Sequence, residues 1–229
     1  MTQDTAATPI CDVRWLGRLD YDEVWDLQRD LARQRAAGDI PDTLLLLEHE
    51  PVFTTGRADV ARNLRVSPES LGAPLVRSDR GGDITFHGPG QLVVYPIVNL
   101  RAAGIGVAAY VRSLEEVVIR TLDQYGIEAG LDCGRPGVWV GDDKIAAIGV
   151  RVGRPLGGSG AWVTTHGLAL NVDVDLDWFT KIVACGISDR GVTSMARLIG
   201  RAPAVREVAQ MISRDFADVF RRDVSPQTP

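Results

Sequence analysis

Four consecutive leucines, Leu44-Leu-Leu-Leu47, constrain the fold of this chain more than any other stretch. The continuous apolar run, opened by Thr43, has strand length and no alternation, which predicts a strand covered on both faces. Asp20 to Ala37, just before it, carries Val24, Trp25, Leu27 and Leu31 at helical spacing, with Asp20 and Glu23 as a start signal and Gly38 as a stop. Pro51 interrupts the leucine strand, and Val52-Phe-Thr-Thr resumes it before Gly56. Residues 58–73 read as a polar loop, with strands around Val76 and between Ile84 and Val98.

The second half keeps the same mixture. Val107 to Tyr125 returns to helical spacing and is closed by Gly126. Val138-Trp-Val, a Gly141-Asp-Asp turn and Lys144 to Val152 form a predicted hairpin. A glycine-rich turn at 153–160, a strand at 161–174, a short helix at 175–182 and an amphipathic helix from Val205 to Val219 follow. Strands outnumber helices and the helices sit singly between them. The expectation is an α+β domain with a mixed β-sheet and packed helices, not an alternating Rossmann pattern. Residues 1–12 are expected to be a loose N-terminal segment, 13–222 a single domain and 223–229 a C-terminal tail.

Composition excludes several classes of function. The chain has 229 residues, enough for a sizeable core without staples. Its formal net charge of −5 argues against nucleic acid as the main partner. No apolar run approaches the roughly 18 residues that span a bilayer, and the first residues lack the basic start and apolar core of a secretory signal. A cytoplasmic protein without a membrane partner is expected. Cys11, Cys133 and Cys185 are too few and scattered for a disulfide framework, and His49, His87 and His166 show no metal-ligand spacing, so no metal site is expected. The 25 basic residues include only two lysines, Lys144 and Lys181. An arginine-rich base composition accounts for most of that bias. A lysine kept in such a background still marks a place where arginine's permanent charge is unsuitable.

Four stretches carry chemistry. Arg80-Gly-Gly-Asp-Ile-Thr-Phe-His-Gly-Pro-Gly-Gln91 combines four glycines and a proline with small polar donors, the makings of a loop that meets a ligand closely. Lys144-Ile-Ala-Ala-Ile-Gly149 opens an apolar strand with a lysine. Thr165-His-Gly-Leu-Ala-Leu-Asn171 interrupts an apolar strand with a histidine and a glycine. Ile182-Val-Ala-Cys-Gly-Ile187 sets Cys185 before a glycine, where backbone N–H groups can converge on its sulfur. Taken singly, each also reads as an ordinary hairpin, turn lysine, core histidine or buried cysteine.

In order and spacing, these four stretches, with Leu47-Glu-His-Glu-Pro-Val-Phe-Thr-Thr-Gly-Arg57 ahead of them, resemble the lipoyl(octanoyl) transferase family over residues 13–200. The chain departs from the family at Ala184, where a proline is common, and at Glu50. The resemblance implies the fold of the biotin and lipoate protein ligase catalytic domains. It implies transfer of an octanoyl or lipoyl group from acyl carrier protein to a lysine of a lipoyl domain, without a cofactor. The acceptors would be the E2 subunits of 2-oxoacid dehydrogenases and the glycine cleavage H protein. Carried over by motif, Cys185 would be the acyl-accepting nucleophile and Lys144 its partner. Arg80, Gly81, Gly82, Asp83, Ile84, Thr85, Phe86 and His87, with Ala147, Ile148, Gly149, Gly167, Leu168 and Ala169, would line the acyl pocket, and His166 and Asn171 would support it.

These residue types suit the reaction. A thioester donor can pass its acyl group to an enzyme thiol at little thermodynamic cost. A thiol of pKa about 8.5 is mostly protonated at neutral pH, and a nearby ammonium favours the thiolate. A lysine can also give up a proton, which arginine hardly can. Glycines at 149 and 167 are expected to leave room for the acyl chain. An ATP-dependent ligase of the same fold and a non-catalytic carrier-protein binding module are the competing readings; against the first, the Arg80-Gly-Gly segment has no lysine to hold an adenylate. Arg57, Arg62, Arg65, Arg77 and Arg80 are the candidate basic patch for an acidic carrier.

Overall fold

Strand β1 (Ile10–Leu19) alternates so that Cys11 and Val13 turn inward, and it is followed by helix α1 (Tyr21–Ala37). Asp20 caps that helix by accepting the Asp22 N–H, and Gly38 ends it in the left-handed conformation. The leucine run lies in β2 (Asp42–His49), and β3 (Val52–Thr55) follows. After a 3-10 turn at Pro68–Ser70 come β4 (Leu75–Arg77), β5 (Thr85–His87) and β6 (Gln91–Ile97). Two helices, α2 (Leu100–Ala103) and α3 (Val107–Asp123), lead to β7 (Gly130–Asp132), β8 (Arg135–Val140), β9 (Asp143–Gly153) and β10 (Val163–Asn171). A 3-10 segment at Leu176–Lys181, β11 (Gly191–Val192), α4 (Met195–Ile199), α5 (Val205–Phe220) and β12 (Asp223–Val224) complete the chain. The computed structural model describes residues 8–56, 63–153, 161–183, 190–201 and 203–224.

The main sheet runs β12-β1-β2-β6-β10-β9-β8-β7, parallel among its first three strands and antiparallel from β2 onward. β11 pairs in parallel with the first residues of β9, on the side that β10 leaves free beyond Ala146. The leucines divide as a doubly covered strand must. Leu44 and Leu46 join the core beneath α3 and α5, with Tyr110, Leu114, Ile212 and Phe216. Leu45 and Leu47 join the core beneath α1, with Val24, Leu31, Val93 and Ala169. All four are fully buried.

A second sheet, β4-β3-β5, packs on a third cluster that includes Phe53, Leu71, Ile84, Phe86 and Phe179. The Phe86 ring stacks on Trp178 at 4.9 Å. Two expectations change at the chain's flanks. Residues 10–12 belong to β1 rather than a loose segment, and Asp223–Val224 are a strand rather than tail, because the two stretches pair with each other. Asp42 pins this corner. Its carboxylate, 2% exposed, accepts from Arg35 Nε at 2.7 Å, Arg222 Nε at 2.9 Å and the Asn99 N–H at 3.2 Å. The loop at 58–73 also differs from a plain polar connection where it is described, since Leu71 is fully buried.

Candidate active site

A cleft opens between the two sheets, with a floor formed by β9 and β10 and a wall formed by the Arg80–His87 segment. It encloses about 440 Å³, the space open to solvent included. Register brings the floor together. Ala147 pairs with Ala169, Ile148 with Leu168 and Gly149 with Gly167, so two sequence motifs become one apolar surface. From the wall, Arg80, Gly82, Asp83, Thr85 and His87 line the cleft.

Ile84, Phe86 and Gly81 do not line it, contrary to the sequence expectation. Successive strand residues point to opposite faces, so Thr85 and His87 meet the cleft while Phe86 enters the core of the small sheet. Gly81 is occupied in docking, its N–H donating to Val150 O at 2.9 Å. The glycines of the floor also have another purpose than expected. A Cβ at Gly149 would stand 2.9 Å from Gly81 O, and one at Gly167 only 2.2 Å from Val94 O. The space at these positions is filled by neighbouring backbone, which lets the wall and strand β6 approach the floor.

Arg80 is a strut rather than part of an exposed basic patch. It is 7% exposed, and its guanidinium donates to the carbonyls of Thr54 (2.6 Å), Gly81 (3.0 Å) and Asp83 (2.6 Å). Arg65 and Arg77 are exposed. Arg57 and Arg62 lie outside the described residues.

Three residues that motif reading did not place in the lining complete it: Tyr21 from the first turn of α1, Tyr95 from β6, and His166 from β10. His166 was expected only in support. It sits in β10 with φ +57°, a conformation a non-glycine residue adopts only when its surroundings hold it there. Gln28 Oε1 accepts its N–H at 2.6 Å, and its Nε2 lies 2.9 Å from Asp79 Oδ1. Burial lowers the His166 pKa, with Asp79 opposing, while the bond to His166 holds Asp79 below the usual carboxylate range. The pair is thus neutral imidazole donating to carboxylate, and Nδ1 finds no partner among the described residues. Arg151 Nε lies 2.9 Å from Asp79 Oδ2.

The other two histidines lie in the same cluster. His49 and His87 rings are 5.8 Å apart, and Tyr21 stacks on His87 at 6.2 Å. His49 Nδ1 is 3.1 Å from Leu19 O, so it carries the proton, and Nε2 accepts from the Tyr95 hydroxyl at 2.9 Å. Burial lowers His49 to about 4 and takes His87 well below its ordinary value. A polar chain leads from His87 to the strand ends: His87 Nδ1 to Gln91 Oε1 (2.8 Å), Gln91 Nε2 to Asn171 Oδ1 (3.0 Å), and Asn171 Nδ2 to Thr193 O (2.9 Å). Thr193 N–H then donates to Lys144 O at 3.0 Å. Asn171, two residues beyond Ala169 of the floor, is a link in this chain.

Lys144 is the second residue of β9, ahead of the cleft floor. A bulge leaves Ile145 unpaired between the pairs Val138–Ala146 and Trp139–Lys144, and both Ile145 and Ala146 enter the core below α3. Such an extra residue re-aims its neighbour. The lysine is 7% exposed, its Nζ donating to Pro136 O at 3.1 Å and standing 4.7 Å from the centre of the Trp139 ring. Cys185 lies outside the described residues. The chain that flanks it is anchored at both ends, Val183 N–H donating to Asn63 O at 2.8 Å and Val192 pairing with Lys144.

Of the other cysteines, Cys11 is fully buried in the main core, and desolvation pushes its thiol up to about 12, whereas Cys133 is exposed in the β7–β8 turn. Among the described residues, no group of three His, Cys, Asp or Glu is placed to hold a metal ion. No helix among them is long and apolar enough to cross a membrane.

Comparison with known proteins bears on this arrangement. The family model for the lipoyl protein ligase A/B catalytic domain matches residues 20–217. An octanoyltransferase of Chloroflexus aggregans is 51% identical over 210 residues, covering 90% of this chain and 92% of that one. One from Rubrobacter xylanophilus is 51% identical over 214 residues, covering 91% and 93%. Among solved structures, a lipoate protein ligase of T. acidophilum with bound lipoic acid has a TM-score of 0.71 at 18% identity, covering 95% of this chain and 89% of that one. The biotin protein ligase of Aquifex aeolicus has a TM-score of 0.51 at 15% identity, covering 92% and 69%. These two likenesses establish the shared fold. By the family match and its curated relatives, the chain belongs to the lipoyl protein ligase A/B catalytic-domain family and, within it, to the octanoyltransferases, a group of acyltransferases that serve protein lipoylation.

Proposed function

We propose that octanoyl transfer by this chain passes through a thioester on Cys185, with acyl carrier protein as donor and a lysine of a lipoyl domain as acceptor. The Cys185 thiolate attacks the donor carbonyl, and the bond from that carbonyl to the carrier sulfur breaks. The departing carrier thiolate takes a proton from the Lys144 ammonium. In the second half, the acceptor amine attacks the enzyme thioester. The carbonyl–Cys185 bond breaks, the thiolate is restored, and Lys144 recovers a proton from the amine. No cofactor enters either half.

The observation that carries this reading is the register at Lys144. Its backbone pairs with Val192, so the chain comes beside the lysine seven residues after Cys185. The same strand continues into Ala147, Ile148 and Gly149 on the cleft floor. An apolar lane leading away from a lysine suits a medium acyl chain, each buried methylene contributing about 0.8 kcal/mol. The T. acidophilum ligase holds lipoic acid in this fold. The acceptors are the lipoyl domains of 2-oxoacid dehydrogenase E2 subunits and the glycine cleavage H protein, and the reaction is cytoplasmic. The catalytic domain extends over Ile10–Val224, because both flanks are strands of the main sheet.

Intact mass after mixing with octanoyl acyl carrier protein tests the intermediate. The wild type, Cys11→Ser and Cys133→Ser are expected to gain one octanoyl group, and Cys185→Ser none. An octanoyl group mapped by peptide mass to Cys133, or full transfer by Cys185→Ser, overturns the assignment.

A further inference from the structure

Glu115 is one of the few buried carboxylates in the described chain and has no part in the cleft. It lies on α3, 4% exposed, and its Oε1 accepts the N–H of Gly137 at 3.1 Å. Arg112, one turn earlier and largely exposed, reaches Oε2 at 3.3 Å. The N–H that Glu115 holds belongs to the same peptide group as the Pro136 carbonyl, and that carbonyl accepts from Lys144 Nζ at 3.1 Å. The peptide is trans and planar, so its N–H and C=O point in opposite directions. Fixing one end on Glu115 aims the other end at the lysine.

We propose that Glu115 is a positioning residue for octanoyl transfer, orienting and polarising the Pro136–Gly137 peptide so that its carbonyl holds the Lys144 ammonium in place. The proposal rests on the assignment of Lys144 made above.

Three features show a socket built for one lysine. Gly137 has φ +124°, which a side chain would strain, and a Cβ there would stand 2.6 Å from Ala146 O, 3.2 Å from Lys144 Cε and 3.4 Å from Nζ. The Trp139 ring closes another side, 4.7 Å from Nζ, where a cation is favoured over the π face. The bulge at Ile145 sets the lysine opposite that ring. An ammonium has three donors, and the Pro136 carbonyl takes one, which leaves donors for a reacting sulfur or amine. Hydrogen bonds in series strengthen one another, so a carboxylate on the N–H makes the carbonyl a better acceptor. A lysine side chain has much rotamer freedom to lose, and the socket takes that loss before substrate arrives. The other charged groups around this end of the sheet are Arg112 on α3, Asp132 and Arg135 on β7 and β8, Asp142 and Asp143 in the turn, and Arg190 before β11.

The test compares Glu115→Gln, Glu115→Ala and Lys144→Ala, all in a Cys133→Ser background. Octanoyl transfer per folded protein and the pH dependence of transfer are measured between pH 6 and 10. Glu115→Gln keeps an acceptor for Gly137 but loses the charge. Its transfer is expected to stay within about threefold of wild type, with the alkaline limb of the profile moved to lower pH. Glu115→Ala frees the peptide, and transfer is expected to fall about tenfold with little change in KM for the carrier. A purely structural role would lower the folded fraction and leave both the profile and the rate per folded molecule unmoved. If Lys144→Ala abolishes transfer while both Glu115 variants match wild type, this inference falls alone. If Lys144→Ala transfers normally, it falls together with the assignment of Lys144.

Discussion

Acid should weaken this fold through its three buried histidines, and His49 allows the size of the effect to be worked out. The imidazole is fully buried and neutral, bonded to Leu19 O and the Tyr95 hydroxyl, and its pKa is lowered from 6.5 to about 4. A histidine whose folded pKa lies below its unfolded value contributes stability that is complete above the unfolded pKa. That stability is lost as pH falls, because the unfolded chain takes up the proton first. The window here runs from about pH 6.5 down to about 4. Each pKa unit is worth about 1.4 kcal/mol, so His49 alone removes about 3 kcal/mol across it. His87 and His166, both lowered mainly by burial, act in the same direction and steepen the loss. Asp215, raised by burial between α3 and α5, acts in the opposite direction, and comparison with a variant cancels it. The assay is urea unfolding of wild type and His49→Gln at pH 7.5, 6.5, 5.5 and 4.5. Wild type is expected to lose more stability on acidification than the variant, by about 1 kcal/mol per pH unit below 6.5. Parallel curves would refute the reasoning, since a residue that cannot titrate would then behave as His49 does.

Lys144→Arg keeps the cation but hardly releases a proton, so in a Cys133→Ser background Cys185 should still alkylate at neutral pH while octanoyl transfer falls at least tenfold. Equal transfer rates would remove the proton-handling role. Asp42→Ala leaves Arg35, Arg222 and the Asn99 N–H without their shared acceptor, and should cost about 3–5 kcal/mol, read as a fall in Tm of about 10 °C or more. A change under 1 kcal/mol would mean that the corner is held by pairing alone. Gly149→Ala pushes on Gly81 O and Arg80, so it should lower transfer at least tenfold while the far sheet edge keeps its amide-exchange protection. Unchanged transfer would show that the wall accommodates the methyl group.

The parts that were legible in sequence are those whose signal is local. Leu44–Leu47 announced a doubly covered strand, and the structure gives each alternate leucine to a different core. The Arg80–Gln91 and Ala147–Gly149 motifs supplied most of the cleft lining because glycines and donors there are adjacent in the chain. Local signals also misled where orientation mattered, as with Phe86, which faces away from its neighbours Thr85 and His87. Tyr21, Tyr95 and Asp79 carried no motif: each enters the site only through packing of α1, β6 or a loop tip against β10. The sequence places the start of β1 three residues late, at Val13, because Ile10 and Cys11 pair with Asp223 and Val224, more than two hundred positions away. No window along the chain contains both partners.

That last pairing has a consequence for how the molecule is made. Strand β12 is the partner of β1 on the side away from β2, and it leaves the ribosome after every other described element. Until Asp223 and Val224 emerge, the outer N–H and C=O groups of Ile10 and Cys11 have no partner, and Arg222 has not reached Asp42. A nascent chain stalled just short of this point would leave the start of β1 and the Asp42 corner unpaired, and such unpaired strand ends can join a second unfinished copy. Two residues late in the chain thus cover the first residues of β1 and bring with them the arginine that completes the Asp42 corner.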